Sequence, residues 1–297
     1  MPNIVILTPS FRPDLGRCEL LAEGVARFAS PEFQHVVIVP RRDRAAFQER
    51  LAPHGCVVLP EEELLPSWLV PLPFTRKWQV TPRGWPVRGW IRQQVIKISY
   101  ACFSTADALV FADSDTCFVK PFEADLVLRA DGRVRLLSEP GAGDTPMHHE
   151  WYRRAARLLG LPVKDYYGRG FIGNLVPWVP EHARSLAQRL EEVNGRRWRT
   201  VLLHQKTVAE YILYGLFVHE VLGLTQSRHY LADADRPVIE YWGQGSLPDD
   251  DLLKFVGTLG PEHVALHIQS KAKYSFELYA RTVRALWQAT GAGRSHG

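Results

Sequence analysis

Two aspartates separated by one residue, Asp113-Ser114-Asp115, close a five-residue apolar run, Ala108-Leu-Val-Phe-Ala112. Carboxylates two apart on a turning backbone can share one hard divalent cation, and such a cation in turn holds phosphate oxygens. An apolar run bounded by carboxylates reads as a buried strand. The pair then falls at a strand's carboxyl end, where open α/β sheets bind their ligands. The triplet alone says little, since Asp233-Ala-Asp235 and Asp249-Asp250-Asp251 also match it. Neither follows a buried-strand pattern. A solvated turn after a strand is the plainer reading of Asp113–Asp115, and the Val119-Lys-Pro-Phe122 that follows favours the metal.

Other residues carry complementary chemistry. His267 closes the apolar stretch Val264-Ala-Leu, and an imidazole can be a third metal ligand beside carboxylates. Lys271 and Lys273 follow it and could neutralise a leaving diphosphate, as cations on transferring phosphates do. Glu210, with Gln205 before it in the same expected helix, is a candidate general base for deprotonating a hydroxyl. Glu139, between an expected strand and Pro140-Gly-Ala-Gly143, is the competing carboxylate. Arg92 and Lys97, on the helix before the aspartate strand, are expected to approach a pyrophosphate. Each of these residues also has an ordinary reading, as helix-surface charge or a satisfied core histidine.

The elements that must position these groups alternate. Strands are expected at Ile4–Thr8, His35–Val39 and Cys56–Leu59, with helices over Arg17–Ala29 and Arg44–Leu51 capped by Asp14 and Asp43. Such alternation points to a mostly parallel sheet flanked by helices. A helix over Val87–Cys102 leads into the aspartate strand. Further strands are expected at Val134–Ser138, Phe171–Pro177 and Val264–Ile268, and helices at Glu181–Val193, Thr200–Tyr214 and Ser275–Ala289.

Between the third strand and the Val87 helix, Pro66–Trp90 breaks the rhythm with five prolines and with Trp68, Trp78, Trp85 and Trp90. It reads as a long functional loop. No acid occurs between Glu63 and Asp107, while Arg76, Lys77, Arg83, Arg88, Arg92 and Lys97 all fall there. That bias suits phosphate or an anionic membrane surface, and no nucleic-acid-binding motif accompanies it. An acceptor-side lid, a peripheral membrane contact through 66–90, and a simple extension of the core all remain open for this segment.

At 297 residues the chain could hold one large domain or two small ones, at roughly 150 residues per domain. Without a linker-like stretch or repeat, one domain over 1–290 with a flexible tail at 291–297 is expected. The net charge of +4 is modest, and 46% of residues are hydrophobic. No apolar stretch nears the ~18 residues of a membrane span, and no signal-peptide pattern opens the chain. Cys18, Cys56, Cys102 and Cys117 are dispersed, as suits reduced thiols. A cytoplasmic protein, peripheral at most to the inner membrane face, is the expectation.

Strand–helix alternation ending in strand–D-x-D resembles the GT-A glycosyltransferases, which use nucleotide-sugar donors. Arg92-Gln-Gln-Val-Ile-Lys97 followed by Ala108–Phe122 is similar to the glycogenin and lipopolysaccharide-galactosyltransferase group. Gly89-Trp-Ile-Arg-Gln-Gln94, Phe111-Ala-Asp-Ser-Asp115 and Ala209-Glu-Tyr-Ile-Leu-Tyr-Gly215 look like a bacterial family of unassigned function placed near those enzymes. The resemblance spans about residues 1–285, carried by these short motifs. It implies a single-domain α/β GT-A (Rossmann-like) fold with a mixed, mostly parallel sheet. It also implies Mn²⁺ or Mg²⁺ on Asp113, Asp115 and His267, with Ser114 beside the donor. Thr8, Pro9 and Ser10 then face the nucleobase and ribose, and Asn174 and Gln205 lie near the donor sugar. Near the C-terminus the pattern departs: where the group has His, Gly and Lys-Pro-Trp, here stands His267-Ile-Gln-Ser-Lys271.

The expected function is metal-dependent transfer of a sugar from a nucleotide-diphosphate donor, a UDP-sugar first among them, to an acceptor hydroxyl. The acceptor is a carbohydrate, a lipid-linked glycan or a small molecule; stereochemistry stays open. A nucleotidyltransferase is the alternative enzyme, although Pro9-Ser-Phe-Arg-Pro13 is not a Gly-rich phosphate loop. A non-catalytic nucleotide-sugar-binding module is the alternative outside catalysis.

Overall fold

The structure is a computed structural model and describes residues 1–71, 78–81, 85–233 and 236–289. The first third alternates as the sequence leads one to expect: β1 (Ile4–Pro9), α1 (Leu15–Phe28), β2 (Phe33–Val39), α2 (Arg44–Leu51) and β3 (Val57–Pro60). Three short strands follow, β4 (Val70–Pro71), β5 (Trp78–Val80) and β6 (Pro86–Arg88), and pair antiparallel as a separate ribbon. Then come α3 (Gly89–Phe103), β7 (Ala108–Phe111) and β8 (Thr116–Phe118). The middle of the chain adds β9 (Val134–Leu136), β10 (Glu139–Pro140), α4 (Pro146–Leu159), β11 (Arg169–Gly170) and β12 (Val176–Trp178). It continues through α5 (Pro180–Asn194), α6 (Trp198–Leu203) and α7 (Glu210–Leu216). The last elements are β13 (His229–Leu231), β14 (Val238–Tyr241), α8 (Asp249–Gly257), β15 (Ala265–Ile268) and α9 (Phe276–Ala289).

The central sheet has five strands in the order β12-β7-β1-β2-β3. β1 pairs parallel with β2 and β7, and β2 with β3, whereas β12 runs antiparallel to β7. Alternate residues of β1 and β7 serve two different cores. Val5, Leu7, Leu109 and Phe111 pack with Val95 and Ile98 of α3 and Leu186 of α5. Ile4, Ile6, Ala108 and Val110 pack with Leu21 and Val25 of α1 and Val283 of α9. Both faces are thus covered, which is why these strands read as unbroken apolar runs. The mixed, mostly parallel, helix-flanked α/β domain is as expected.

A second sheet, β14-β15-β8, has β14 parallel and β8 antiparallel to β15. It leans on α1 through Gly24, where a Cβ would come within 3.2 Å of the Phe118 backbone. The chain therefore leaves β7, turns through Asp113–Asp115 and enters this second sheet. The aspartates sit at the seam.

Several expectations need correction. The helix expected over Thr200–Tyr214 is two, α6 and α7, and α7 passes into a π-helical segment, Phe217–Leu222. α7 starts where the Glu210 N–H donates to Gln94 Oε1 at 2.9 Å, a tertiary contact that periodicity cannot reveal. Asp14 and Asp43 occupy the N-cap positions of α1 and α2 without capping through their side chains. Asp14 binds Arg17, and Asp43 accepts from the Arg12 N–H. Asp249–Asp251 form the first turn of α8, where carboxylates favour the helix dipole. The expected tail at 291–297 lies outside the described residues.

Candidate functional site

Asp113 follows β7 after Ala112, whose N–H still donates to Leu7 O at 3.1 Å. The Thr116 N–H donates back to Asp113 O at 3.0 Å, closing a tight turn that swings Asp115 toward β15. Asp115 Oδ2 accepts from the Ser270 N–H at 2.7 Å, and its Oδ1 stands 3.3 Å from His267 Nδ1. Neither of those facing atoms, nor His267 Nε2, has a hydrogen bond of good geometry, although all three are buried. Burial alone would raise Asp115, but the His267 ring and the Ser270 N–H hold it below the usual carboxylate value. Burial opposes charge on His267, yet Asp115, helped by Glu240 and Asp113, raises it above an ordinary histidine.

The second sheet sets a row of side chains across this seam. Thr116, His267 and Glu240 are register partners on β8, β15 and β14. Thr116 Oγ1 donates to Asn174 Oδ1 at 3.1 Å. Asn174 in turn donates through its backbone N–H (2.7 Å) and Nδ2 (3.2 Å) to Glu240 Oε1. Trp242 Nε1 donates to Glu240 Oε2 at 3.0 Å, and its ring lies 4.7 Å from that of His267. Leu175, directly after Asn174, has φ 53°. No other non-glycine among the described residues has a positive φ. A left-handed leucine costs about 1–3 kcal/mol and persists where surrounding contacts enforce it. Glu240 and Trp242 were missed by sequence reasoning, because β14 is short and only half buried.

Behind Asp113 lies a buried cation. Lys97 rides the sheet-facing side of α3, 3% exposed, and its Nζ stands 3.1 Å from Asp113 Oδ1 and 2.9 Å from Glu210 Oε1. It also donates to Tyr211 Oη at 2.7 Å. Burial would lower Lys97, but Asp113 and Glu210 raise it well above its ordinary value, so the ammonium is held charged. Glu210 is pushed up by burial and pulled back by Lys97. Glu210, expected as a general base, is thus enclosed behind Asp113, and Lys97, expected at a pyrophosphate, is turned inward.

The remaining candidates divide. Thr8 is fully buried and its hydroxyl binds a His35 ring nitrogen at 3.0 Å, while the other nitrogen meets Cys56 Sγ at 3.2 Å. Pro9 is buried, and the half-buried Ser10 donates its N–H to Ile38 O. Of that trio, the Thr8 side chain serves the core. Arg92 pairs with the buried Glu61 at 3.5 Å. Gln205, just past the end of α6, turns back on that helix, donating to Val201 O at 2.8 Å. Glu139 lies on the β10–β11 ribbon in an ion pair with Arg236, joined by no described contact to Asp113, Asp115 or His267. Ser114 is buried within the turn. Lys271 and Lys273 are exposed just past β15 and, among the described residues, form no ion pair. In the Pro66–Trp90 segment, Trp85 and Trp90 are exposed and Trp68 packs on the core. The Trp78 side chain is outside the described residues.

Among the described residues no three His, Cys, Asp or Glu side chains already converge as a metal set, because Asp113 is drawn to Lys97. In type, however, the residues suit a divalent cation. The carboxylate oxygen and both ring nitrogens facing the seam are buried polar atoms without hydrogen-bond partners, and such atoms call for a ligand or a water. No helix among the described residues is long and apolar enough to cross a membrane.

Residues 4–250 match a family of unknown function, DUF6492, and the chain belongs to that family. No curated protein matches it. Among solved structures the chain is similar to mouse xyloside xylosyltransferase 1 in its apo form. The identity is 8%, with 92% of this chain and 100% of that chain covered, at a TM-score of 0.49.

Proposed function

We propose that the protein transfers a sugar from a nucleotide-diphosphate donor to an acceptor hydroxyl, with Mn²⁺ or Mg²⁺ held by Asp113, Asp115 and His267. The observation that carries the reading is the meeting of Asp115 Oδ1 and the His267 ring at the sheet seam, buried and unsatisfied, straight after the β7 strand end. A divalent cation bound there supplies Lewis-acid stabilisation of the leaving diphosphate. Lys271 and Lys273, exposed just beyond β15, are free to take up the remaining phosphate charge as it develops. Lys97 and Glu210 act from behind, fixing the Asp113 carboxylate rather than meeting substrate. The donor is a nucleotide sugar, with UDP-sugars the first to test, and the acceptor is a glycan, a lipid-linked glycan or a small hydroxylated molecule.

The test is nucleotide release from a panel of nucleotide sugars with Mn²⁺, repeated on Asp115→Asn. Release by the wild type that needs Mn²⁺ and falls at least about a hundredfold in the variant is the expected result. Equal release by both proteins at saturating Mn²⁺ would remove the metal assignment. Release of pyrophosphate from nucleoside triphosphates would favour nucleotidyl transfer instead.

A further inference from the structure

We infer that Glu240 and Trp242 form a sugar-ring subsite beside the seam, with Glu240 taking a ring hydroxyl and the Trp242 indole serving as the platform. The inference deepens the transferase reading and rests on it for the identity of the sugar's carrier.

Glu240 is a carboxylate held in advance. Oε1 accepts two hydrogen bonds, both from Asn174, while among the described residues Oε2 accepts one, from Trp242. A carboxylate oxygen offers about two acceptor sites, so Oε2 retains one lobe for a further donor. The carboxylate is half-exposed, and its register partner across the sheet is His267. A hydroxyl bound there would lie alongside the proposed metal ligands.

Trp242 is 46% exposed, so part of its ring is open to a ligand. It is also fixed. Its N–H is tied to Glu240, its ring lies against His267, and Gln269 Nε2 donates to the Trp242 and Gly243 carbonyls. An indole with a rigid apolar face and a satisfied N–H, next to a carboxylate with spare acceptor capacity, suits a pyranose. Such a ring has an apolar C–H face and a hydroxyl edge. Asn174 holds the carboxylate in place through two hydrogen bonds to Oε1. A surface ion pair would need no such scaffold, and Glu240 has no cation on it among the described residues.

The sugar could be the donor's transferred ring or the acceptor's, and the experiment separates them. Binding of UDP, of a panel of UDP-hexoses, and of methyl glycosides in the presence of UDP is measured by calorimetry with Mn²⁺. Wild type, Glu240→Gln and Trp242→Ala are compared. Glu240→Gln keeps an acceptor for Asn174, and Trp242→Ala alters an exposed side chain, so at least one variant should remain folded. The expected result is that both variants bind UDP as the wild type does, yet lose about tenfold or more in affinity for one sugar-bearing probe, the usual worth of a charge-assisted hydrogen bond. Loss confined to UDP-hexoses identifies the donor ring, and loss confined to methyl glycosides the acceptor ring. If neither sugar-bearing affinity changes, or if UDP affinity falls by the same factor, the subsite is overturned. If the wild type fails to bind UDP, the transferase reading fails. The subsite then stands or falls on whether methyl glycosides bind the wild type more tightly than the two variants.

Discussion

Lys97 Nζ stands 2.9 Å from Glu210 Oε1 and 3.1 Å from Asp113 Oδ1, so one buried ammonium ties helix α7 to the aspartate at the end of β7. An unpaired buried charge is expensive, and a pair broken on one side leaves that cost exposed. The Lys97 side chain crosses from α3 to both elements, and its position is fixed by three partners rather than by one.

Glu210 is therefore expected to behave as a positioning residue. Glu210→Ala should cost about 3–5 kcal/mol in denaturant unfolding, the usual penalty for stripping one partner from a buried ion pair. Glu210→Gln should lower the rate of nucleotide release while leaving the shape of its pH profile unchanged. A general base behaves differently, since its removal erases the limb of the profile that reports its ionisation. Disappearance of that limb in a folded Glu210→Gln would return Glu210 to the acceptor side.

His267→Ala and Asp115→Asn should each weaken Mn²⁺ binding by at least about tenfold, a loss that even supporting residues of metal sites commonly cause. Direct Mn²⁺ titration, by electron paramagnetic resonance or calorimetry, reads this without any substrate. Unchanged affinity in both folded variants would make the pair a structural feature of the seam.

Much of this arrangement was visible in the chain. Ile4–Leu7 of β1 and all of β7 are covered on both faces, so these stretches are apolar without interruption, and Asp113–Asp115 could be placed at a strand end from that pattern alone. The His267 strand was legible for the same reason. What stayed hidden depends on contacts between distant residues. Glu210 reads as a helix-surface acid until Lys97, 113 positions earlier, is found beside it, and the break before α7 comes from the Gln94 side chain. Thr8 looked like a polar strand end open to ligand, but His35 on the neighbouring strand claims its hydroxyl. α4 passed unnoticed although Tyr152, Ala155, Ala156 and Leu159 recur at the spacing of a buried helix face.

Gly215 offers a test of the packing that carries α7. A Cβ there would fall 2.3 Å from Phe171 Cγ, and Phe171 is fully buried and has no room to retreat. Gly215→Ala should thus destabilise the fold by about 1–3 kcal/mol despite the better helix propensity of alanine. Denaturant unfolding with an unchanged slope and a lower midpoint would show it. A stabilised variant would mean that the ring and helix are not in contact at this point.

Two buried histidines, His35 and His229, should each withdraw stability as the solution is acidified below neutrality. Burial lowers His35 and His229 to about 3, so each stays neutral in the fold while the unfolded chain takes up a proton near 6.5. The unfolded state then binds more protons between those values, and stability rises with pH across that window. Both contributions are fully present above about 6.5 and are lost as the pH falls toward 3. Glu61 works in the opposite sense. Burial raises it to about 7, so between its unfolded value and 7 the folded state holds the extra proton, and stability drops as pH rises. Each proton is worth about 1.4 kcal/mol per pH unit, and the histidines and the glutamate oppose one another between about pH 5 and 6.5. Urea unfolding at half-unit steps over that range reads the slope of stability against pH. Relative to the wild type, Glu61→Gln should make it more positive and His229→Asn less positive, each by up to about one proton. A slope that ignores both substitutions would mean these groups titrate alike in the folded and unfolded chain.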